Sequence, residues 1–270
     1  MRTLLIFMLL FPEINPGFAA GERNPAGGRS YAMGGTSVTT GDLWSLSNNQ
    51  AGAAWLKGGS AGLSFQNRFL LKELMYEQVA VAWAVTPGTF GLLAGRFGND
   101  NYNEMKAGLS FARKFGKKFA AGVQLDYLRI HLSDDYGNKN LLSCEIGIQY
   151  RADHHLFIGV HLLNPIPVKI TSYPEELLPA TLCAGISYCL SETFLVAVEA
   201  EKELVQKLQL RAGAEYHFAK PMYVRIGVST NPASFSFGFG LEYGKLTIDM
   251  ASGYHQALGF SPSGSLGYSF

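Results

Sequence analysis

The chain has 270 residues, of which 47% are hydrophobic, 13% aromatic and only 16% charged, with 31 glycines and a formal net charge of +1. Those values exclude a disordered polymer and a polyanion-binding surface, so nucleic acid is not an expected partner. Sparse charge beside abundant Gly, Ser, Tyr and Phe suits short strands and tight turns better than amphipathic helices, which makes an all-β fold the expectation.

The first residues carry the parts of an export signal. Arg2 supplies a positive charge, Leu4 to Phe11 an apolar core, and Gly17-Phe18-Ala19 small residues where a signal peptidase reads, so residues 1–19 are expected to be removed after Ala19 or Ala20. The apolar run is about eight residues, against the roughly 20 that a spanning helix needs. From Asn24 to Trp55 the chain is rich in Gly, Ser, Ala and Asn without sustained alternation, so it reads as irregular backbone with a helical turn around Thr40 to Ser45. Met33, Val38, Leu43, Trp44 and Trp55 need burial, and irregular backbone at membrane depth is tolerated only inside protein. Residues 20–58 are therefore expected to form a plug in a barrel that occupies 59–270.

From there on, apolar residues recur at every second position. In Leu142-Ser143-Cys144-Glu145-Ile146-Gly147-Ile148-Gln149-Tyr150 the even positions are apolar and the odd ones mostly small or polar, as a strand between lipid and a polar interior requires. Leu208, Leu210, Ala212, Ala214, Tyr216 and Phe218 alternate in the same way with Gln209, Arg211, Gly213, Glu215 and His217. Runs of this kind lie near 59–69, 76–85, 89–97, 104–114, 118–131, 140–151, 155–163, 178–189, 192–201, 206–218, 221–229, 234–243, 245–254 and 259–270. They predict about 14 strands of membrane-crossing length, an even number that leaves both termini on one side. Tight connections such as Gly116-Lys117, Asp153-His154 and Gly244-Lys245 interleave with longer ones such as 132–139 and 164–177, the pattern of periplasmic turns and outer loops. The expectation is a transmembrane, antiparallel, up-and-down β-barrel in a bacterial outer membrane, in contact with its lipid and lipopolysaccharide.

Parity sorts the side chains. Lys106, Lys114, Asp126, Glu145, Glu199, Arg211, Glu215, Arg225, Glu242 and Asp249 fall on the inward half of the alternation, so acids and bases can pair across a filled interior. The outer loops carry Phe69-Leu70-Leu71 and Ile166-Pro167-Val168, which either gather a hydrophobic ligand or touch lipopolysaccharide or a neighbouring barrel. Leu266, Tyr268 and Phe270 share one face of the last strand and resemble the terminal aromatic signal that the barrel-insertion machinery reads. No catalytic motif, cofactor motif or metal-ligand spacing is present: six His are scattered, and Cys144, Cys183 and Cys189 form no CxxC pair. Neither enzymatic activity nor a cofactor is expected.

Gly28-Arg29-Ser30-Tyr31-Ala32-Met33-Gly34-Gly35-Thr36-Ser37-Val38, then Asp42 and Asn48-Asn49-Gln50-Ala51-Gly52, resembles the N-terminal signature of the PorV/PorQ group, outer-membrane barrels with the architecture of the fatty-acid transporter FadL. Leu162-Leu163-Asn164-Pro165, a long loop and Leu178-Pro179-Ala180-Thr181-Leu182 with Gly185 and Tyr188 resemble the group's mid-barrel signature. Where the group usually has Asn-Pro-Ala or Asn-Pro-Gly, this chain has Asn49-Gln50-Ala51, and the barrel is shorter than typical for the group. The resemblance implies two roles: passage of hydrophobic molecules through a plugged barrel with a lateral opening, or service to the type IX secretion system through its cargo or translocon components.

Overall fold

The computed structural model describes residues 23–132, 138–172, 175–204 and 206–270; the expected export signal lies outside them. The strands are β1 (Gly59–Asn67), β2 (Met75–Val85), β3 (Gly88–Gly98), β4 (Tyr102–Phe115), β5 (Phe119–Leu132), β6 (Asn138–Arg151), β7 (Leu156–Leu163), β8 (Lys169–Ser172), β9 (Glu175–Leu177), β10 (Thr181–Ser191), β11 (Phe194–Glu203), β12 (Gln209–Ala219), β13 (Met222–Ser229), β14 (Ser234–Tyr243), β15 (Leu246–His255) and β16 (Gly259–Ser269). All but β8 and β9 join neighbour to neighbour in a closed antiparallel barrel of 14 strands, with β1 against β16. The expected fold class is thus the observed one.

Alternation decides which way each side chain points. Leu63, Trp83, Leu92, Leu109, Leu125, Leu142, Val198, Ile226, Phe239 and Met250 are exposed on the outside of the wall, while Gln78, Ser110, Gln124, Glu145, Gln149, Glu199 and Arg225 are buried inside it. An apolar belt around a closed ladder is a surface for hydrocarbon, because water would penalise it and lipid does not. Ring pairs gather at the end of the short turns: Trp83 with Phe270 at 5.4 Å between centroids, Phe90 with Phe111 at 4.9 Å, and Phe115 with Phe119 at 5.9 Å. Leu266, Tyr268 and Phe270 lie on this lipid face of β16, and the Phe270 carbonyl and N–H bond to Gly59 at 3.0 and 2.8 Å.

Residues 23–58 lie within the barrel as short helical turns at Gly28–Ala32, Ser45–Asn48 and Gln50–Trp55. The helical turn expected at Thr40 to Ser45 begins only at Ser45, since Asp42 accepts from the Trp44 N–H at 3.0 Å and holds the preceding residues in a turn. Ala51, Ala53, Leu43, Trp44 and Leu46 form an apolar core with Ala80, Ala82, Leu93 and Ala112 from β2, β3 and β4. Elsewhere, the segment touches the wall where the wall has no side chain. A Cβ on Gly147 would fall 2.0 Å from the Asn49 side-chain Oδ1 and 3.0 Å from the Gln50 and Ala51 nitrogens, one on Gly159 2.2 Å from the Val38 carbonyl, and one on Gly227 2.0 Å from the Gly34 nitrogen.

Two local departures from the sequence reading occur in the 164–177 connection, which was expected to be a plain loop. It contains the β8–β9 hairpin, whose strands of 4 and 3 residues are too short to show a period. Val168 is also not a free outer contact: it packs with Ile170 and Leu178 on Leu128, Ile130 and Leu141, the inward residues at the outer ends of β5 and β6.

Substituting Gly227 with valine is expected to leave the wall intact and displace the segment. The folded, heat-sensitive band on SDS gels should persist while protease cleavage within 23–58 rises severalfold; the outward change Val228→Leu should do neither.

Candidate functional site

Three charge clusters line the lumen, and each takes part of its partners from the N-terminal segment. Glu145, fully buried, accepts from Gln50 Nε2 at 2.5 Å, lies 2.8 Å from His161 Nε2 and pairs with Lys106, which also lies 3.4 Å from Asp126. Glu199 accepts from the Ser37 and Val38 backbone N–H groups at 2.7 and 3.0 Å and from Arg23 at 3.0 Å. Arg23 and Arg211 both reach Glu201, at 2.6 and 2.7 Å. Arg29 makes a two-pronged contact to Glu215, 2.8 Å on each prong, and lies 3.6 Å from Asp42; Arg225 completes the set by bridging Glu215 at 2.5 Å and Asp249 at 2.6 Å.

Lys106, Asp126, Glu145, Glu199, Arg211, Glu215, Arg225 and Asp249 therefore sit inside and in contact with one another. Lys114 and Glu242 do not join them. Both are exposed near the short turns, Lys114 with its ammonium 5.7 Å from the Trp55 ring centroid and Glu242 accepting from the Tyr223 hydroxyl at 2.9 Å. Their parity is inward, but their strands have left the buried zone by those positions.

The residues of the N-terminal signature act as anchors. Asn48 bonds both the N–H and the carbonyl of Ala26, at 2.8 and 2.9 Å. Asn49 donates to the Val38 carbonyl at 2.6 Å and to wall carbonyls of Ile148 and Val160 at 3.2 and 3.3 Å. Gly34 and Gly35 have φ of 72° and 85°, a region costly for other residues, and the Gly34 N–H donates to Ser236 Oγ at 2.9 Å. Met33 is buried beside the Gly213 backbone. The mid-barrel signature has a matching explanation: Asn164 accepts from Ser143 and donates to the Pro179 carbonyl at 3.0 Å, tying the two ends of the long connection to β6.

Arg23, Gln149, His161 and Glu201 carry contacts that the sequence does not single out, and the role of Gln50 is not legible in it either. The Gln50 side-chain amide donates a hydrogen bond to Glu145 and so ties the N-terminal segment to that charge cluster. Arg23 and Glu201 had no signal, because Arg23 lies in aperiodic chain and Glu201 near a strand end. Cys183, Glu199 and Glu201 bring potential metal-ligand atoms within 4.8 Å of one another, yet Arg23 and Arg211 already neutralise the carboxylates.

The lumen is not solid. A cavity of about 160 Å³ opens at the outer mouth between Tyr31, Phe69, Arg211, Tyr254 and His255, and one of about 200 Å³ lies at the periplasmic end between Arg29, Met33, Thr36 and Arg151. Gly34 and Gly35 face the first and Met33 and Thr36 the second, so a single turn of the plug separates them. At the outer mouth, Phe69 stacks edgewise on His255 at 5.9 Å, whereas Leu70, Leu71 and Ile166 are exposed.

Replacing Arg225 with methionine is expected to destabilise the folded barrel by about 3–5 kcal/mol, because Glu215 and Asp249 lose their shared buried cation. Urea unfolding of the protein in lipid vesicles measures this, with the exposed change Arg113→Met expected to stay within about 0.5 kcal/mol of the parent.

No protein-family model matches the chain, and no curated protein is found similar to it. Among solved structures, it is similar to the toluene transporter TbuX of Ralstonia pickettii at 14% identity, with a TM-score of 0.69 over 90% of this chain and 98% of that one. A FadL homologue of Pseudomonas aeruginosa matches at 12% identity, with a TM-score of 0.71 over 93% and 100%. The toluene transporter TodX of P. putida matches at 13%, with 0.66 over 92% and 99%. At such identities the likeness is one of fold: the chain is an outer-membrane-type barrel with the architecture shared by these FadL-like proteins.

Proposed function

We propose that the protein admits small hydrophobic molecules from the outer surface into a plugged lumen. The observation that carries this reading is the pair of cavities on either side of the turn Met33 to Thr36, the larger spaces in an interior that ion pairs and hydrogen bonds otherwise hold, with about 60 Å³ left beside Lys106 and Glu145. The outer cavity has aromatic walls from Tyr31, Phe69 and Tyr254 beside Arg68 and Arg211, and Leu70 and Leu71 are exposed next to Phe69, so a greasy molecule finds apolar surface at its entrance. Structures with the same fold are named as toluene transporters, which supports the substrate class.

Passage runs along the lumen in this reading. The ladders from β1 to β7 show no break in register, and the shifts on β10 and β12 fall near the short turns. No observation favours the secretion role, and the PorV/PorQ assignment remains a resemblance.

Intact Gram-negative cells without hydrocarbon transporters of their own supply the test, since lipopolysaccharide slows apolar solutes. Expressing the chain should speed toluene entry severalfold and leave entry of a disaccharide unchanged. Equal toluene entry with and without the chain, at confirmed surface expression, overturns the reading.

A further inference from the structure

One interior cation is left over when the pairs are counted. Arg23, Arg29, Arg211 and Arg225 are each held by at least one carboxylate. Arg151, the last residue of β6, has none within ion-pair distance among the described residues, and its Nε is buried without a hydrogen-bond partner. Its guanidinium instead lies 3.9 Å from the Trp55 ring centroid and 5.5 Å from that of Phe157. Stacking fixes the plane of the group, but it satisfies none of the five N–H donors.

The fit on the other side is equally close. A Cβ on Gly41 would fall 2.6 Å from Arg151 Nη2, so the guanidinium rests against the backbone of the N-terminal segment. The neighbouring carboxylate, Asp42, is taken by Arg29 and by the Trp44 N–H. Arg151 thus faces the periplasmic cavity of about 200 Å³, which Arg29 also lines. Hydroxyls of Thr39 and Ser187 are in the lining, and Met33, Phe157 and Leu195 form an apolar wall. The space is several times the roughly 30 Å³ share of a water molecule, so it admits more than a bare anion.

We propose that this cavity is a binding site for an oxyanion carried on a compact apolar body, with Arg151 as its principal donor. A planar guanidinium matches the two oxygens of a carboxylate or phosphate, and since Arg29 in the same lining is committed to Glu215 and Asp42, Arg151 carries the charge of the site. The apolar wall lies opposite and takes the organic part. The cavity is the inner of the two that the proposed passage joins, but anion binding there is read on the purified protein and is decided independently of toluene entry.

Cys189, in the same cavity lining, provides the readout. In the purified full chain in detergent, the rate of maleimide modification at Cys189 is followed by mass spectrometry of its peptide. Millimolar benzoate should slow it severalfold, and the isosteric neutral benzamide should not. Protection should vanish in Arg151→Gln and survive in part in Arg151→Lys. Protection by inorganic phosphate as well would mean that the oxyanion alone is sufficient; protection by benzoate alone would mean that the apolar body is required, and either upholds the site. Equal protection by benzamide, no effect of either anion, or unchanged protection in Arg151→Gln overturns it. If Arg151→Gln does not fold, benzoate against benzamide on the parent protein decides.

Discussion

Hydrocarbon offers a β-strand no hydrogen-bond partner, so a sheet immersed in it must return to its own first strand. Here that return is made where β16 meets β1, from Ser60 against Ser269 to Gln66 against Ser263, and the Phe270 backbone bonds Gly59 beyond the ladder. The ring of Phe270 occupies the room that a side chain at Gly59 would need and meets Trp83 at the lipid face. The barrel is closed by the very residues that end its sequence. Fourteen strands then enclose more width than inward side chains can fill, because barrel diameter grows with strand number. The N-terminal segment occupies the remainder, and the rest of the molecule follows from how it is held there.

Buried ion pairs are a poor source of net stability, since desolvation offsets most of their attraction. Their arrangement here does something else. Glu199 is contacted by Arg23, by two plug backbone N–H groups and by wall Arg211, so its charge is compensated only when plug and wall are in one register. Arg29 stands in the same relation to Glu215, and Gln50 to Glu145. A shifted plug would strand several charges at once in a low-dielectric interior, whereas a shifted apolar contact loses only area. Specificity of placement, more than strength, is what the mixed-sign lumen contributes. The glycines on the wall belong to the same logic, because Gly147, Gly159 and Gly227 let backbone approach the polar groups that hold it.

Much of this was legible in the alternation. A period of two is imposed by the pleat, and lipid on one side with protein on the other converts it into composition, so Leu208 to Phe218 announced both a strand and its orientation. Loop length separated the two ends of the barrel, short turns at one and long connections at the other. The β8–β9 hairpin left no trace because strands of 3 and 4 residues cannot establish a period. Parity also says only that a residue points inward, not how far along the wall it lies: Lys114 and Glu242 share the parity of Lys106 and Asp249 and yet end outside the buried clusters. Partners were not legible at all. Nothing in one dimension links Arg23 to Glu199 and Glu201, 176 and 178 residues away.

The inner face itself changes character along its height. On β5, Gln124 and Asp126 belong to the polar middle, whereas Leu128 and Ile130, next on the same side, pack against Val168, Ile170 and Leu178 of the long connection. Asn164 fastens that connection to Ser143 and Pro179, so apolar surface there is spent on the chain's own loop. Directly beneath lie Lys106, Glu145 and His161, with only about 60 Å³ between them and the apolar lid. A hydrophobic solute entering on this side would have to displace packed side chains and then cross a charged cluster. Across the lumen, the walls of β13 to β16 carry Ser234, Ser236, Gly253 and Ser261, small residues that leave the outer cavity open down to Gly34 and Gly35. Packed side chains are fewer there, although Arg23, Arg68 and Arg211 also line the cavity, so the passage proposed above meets its lower steric obstacle on the β13–β16 side of the N-terminal segment.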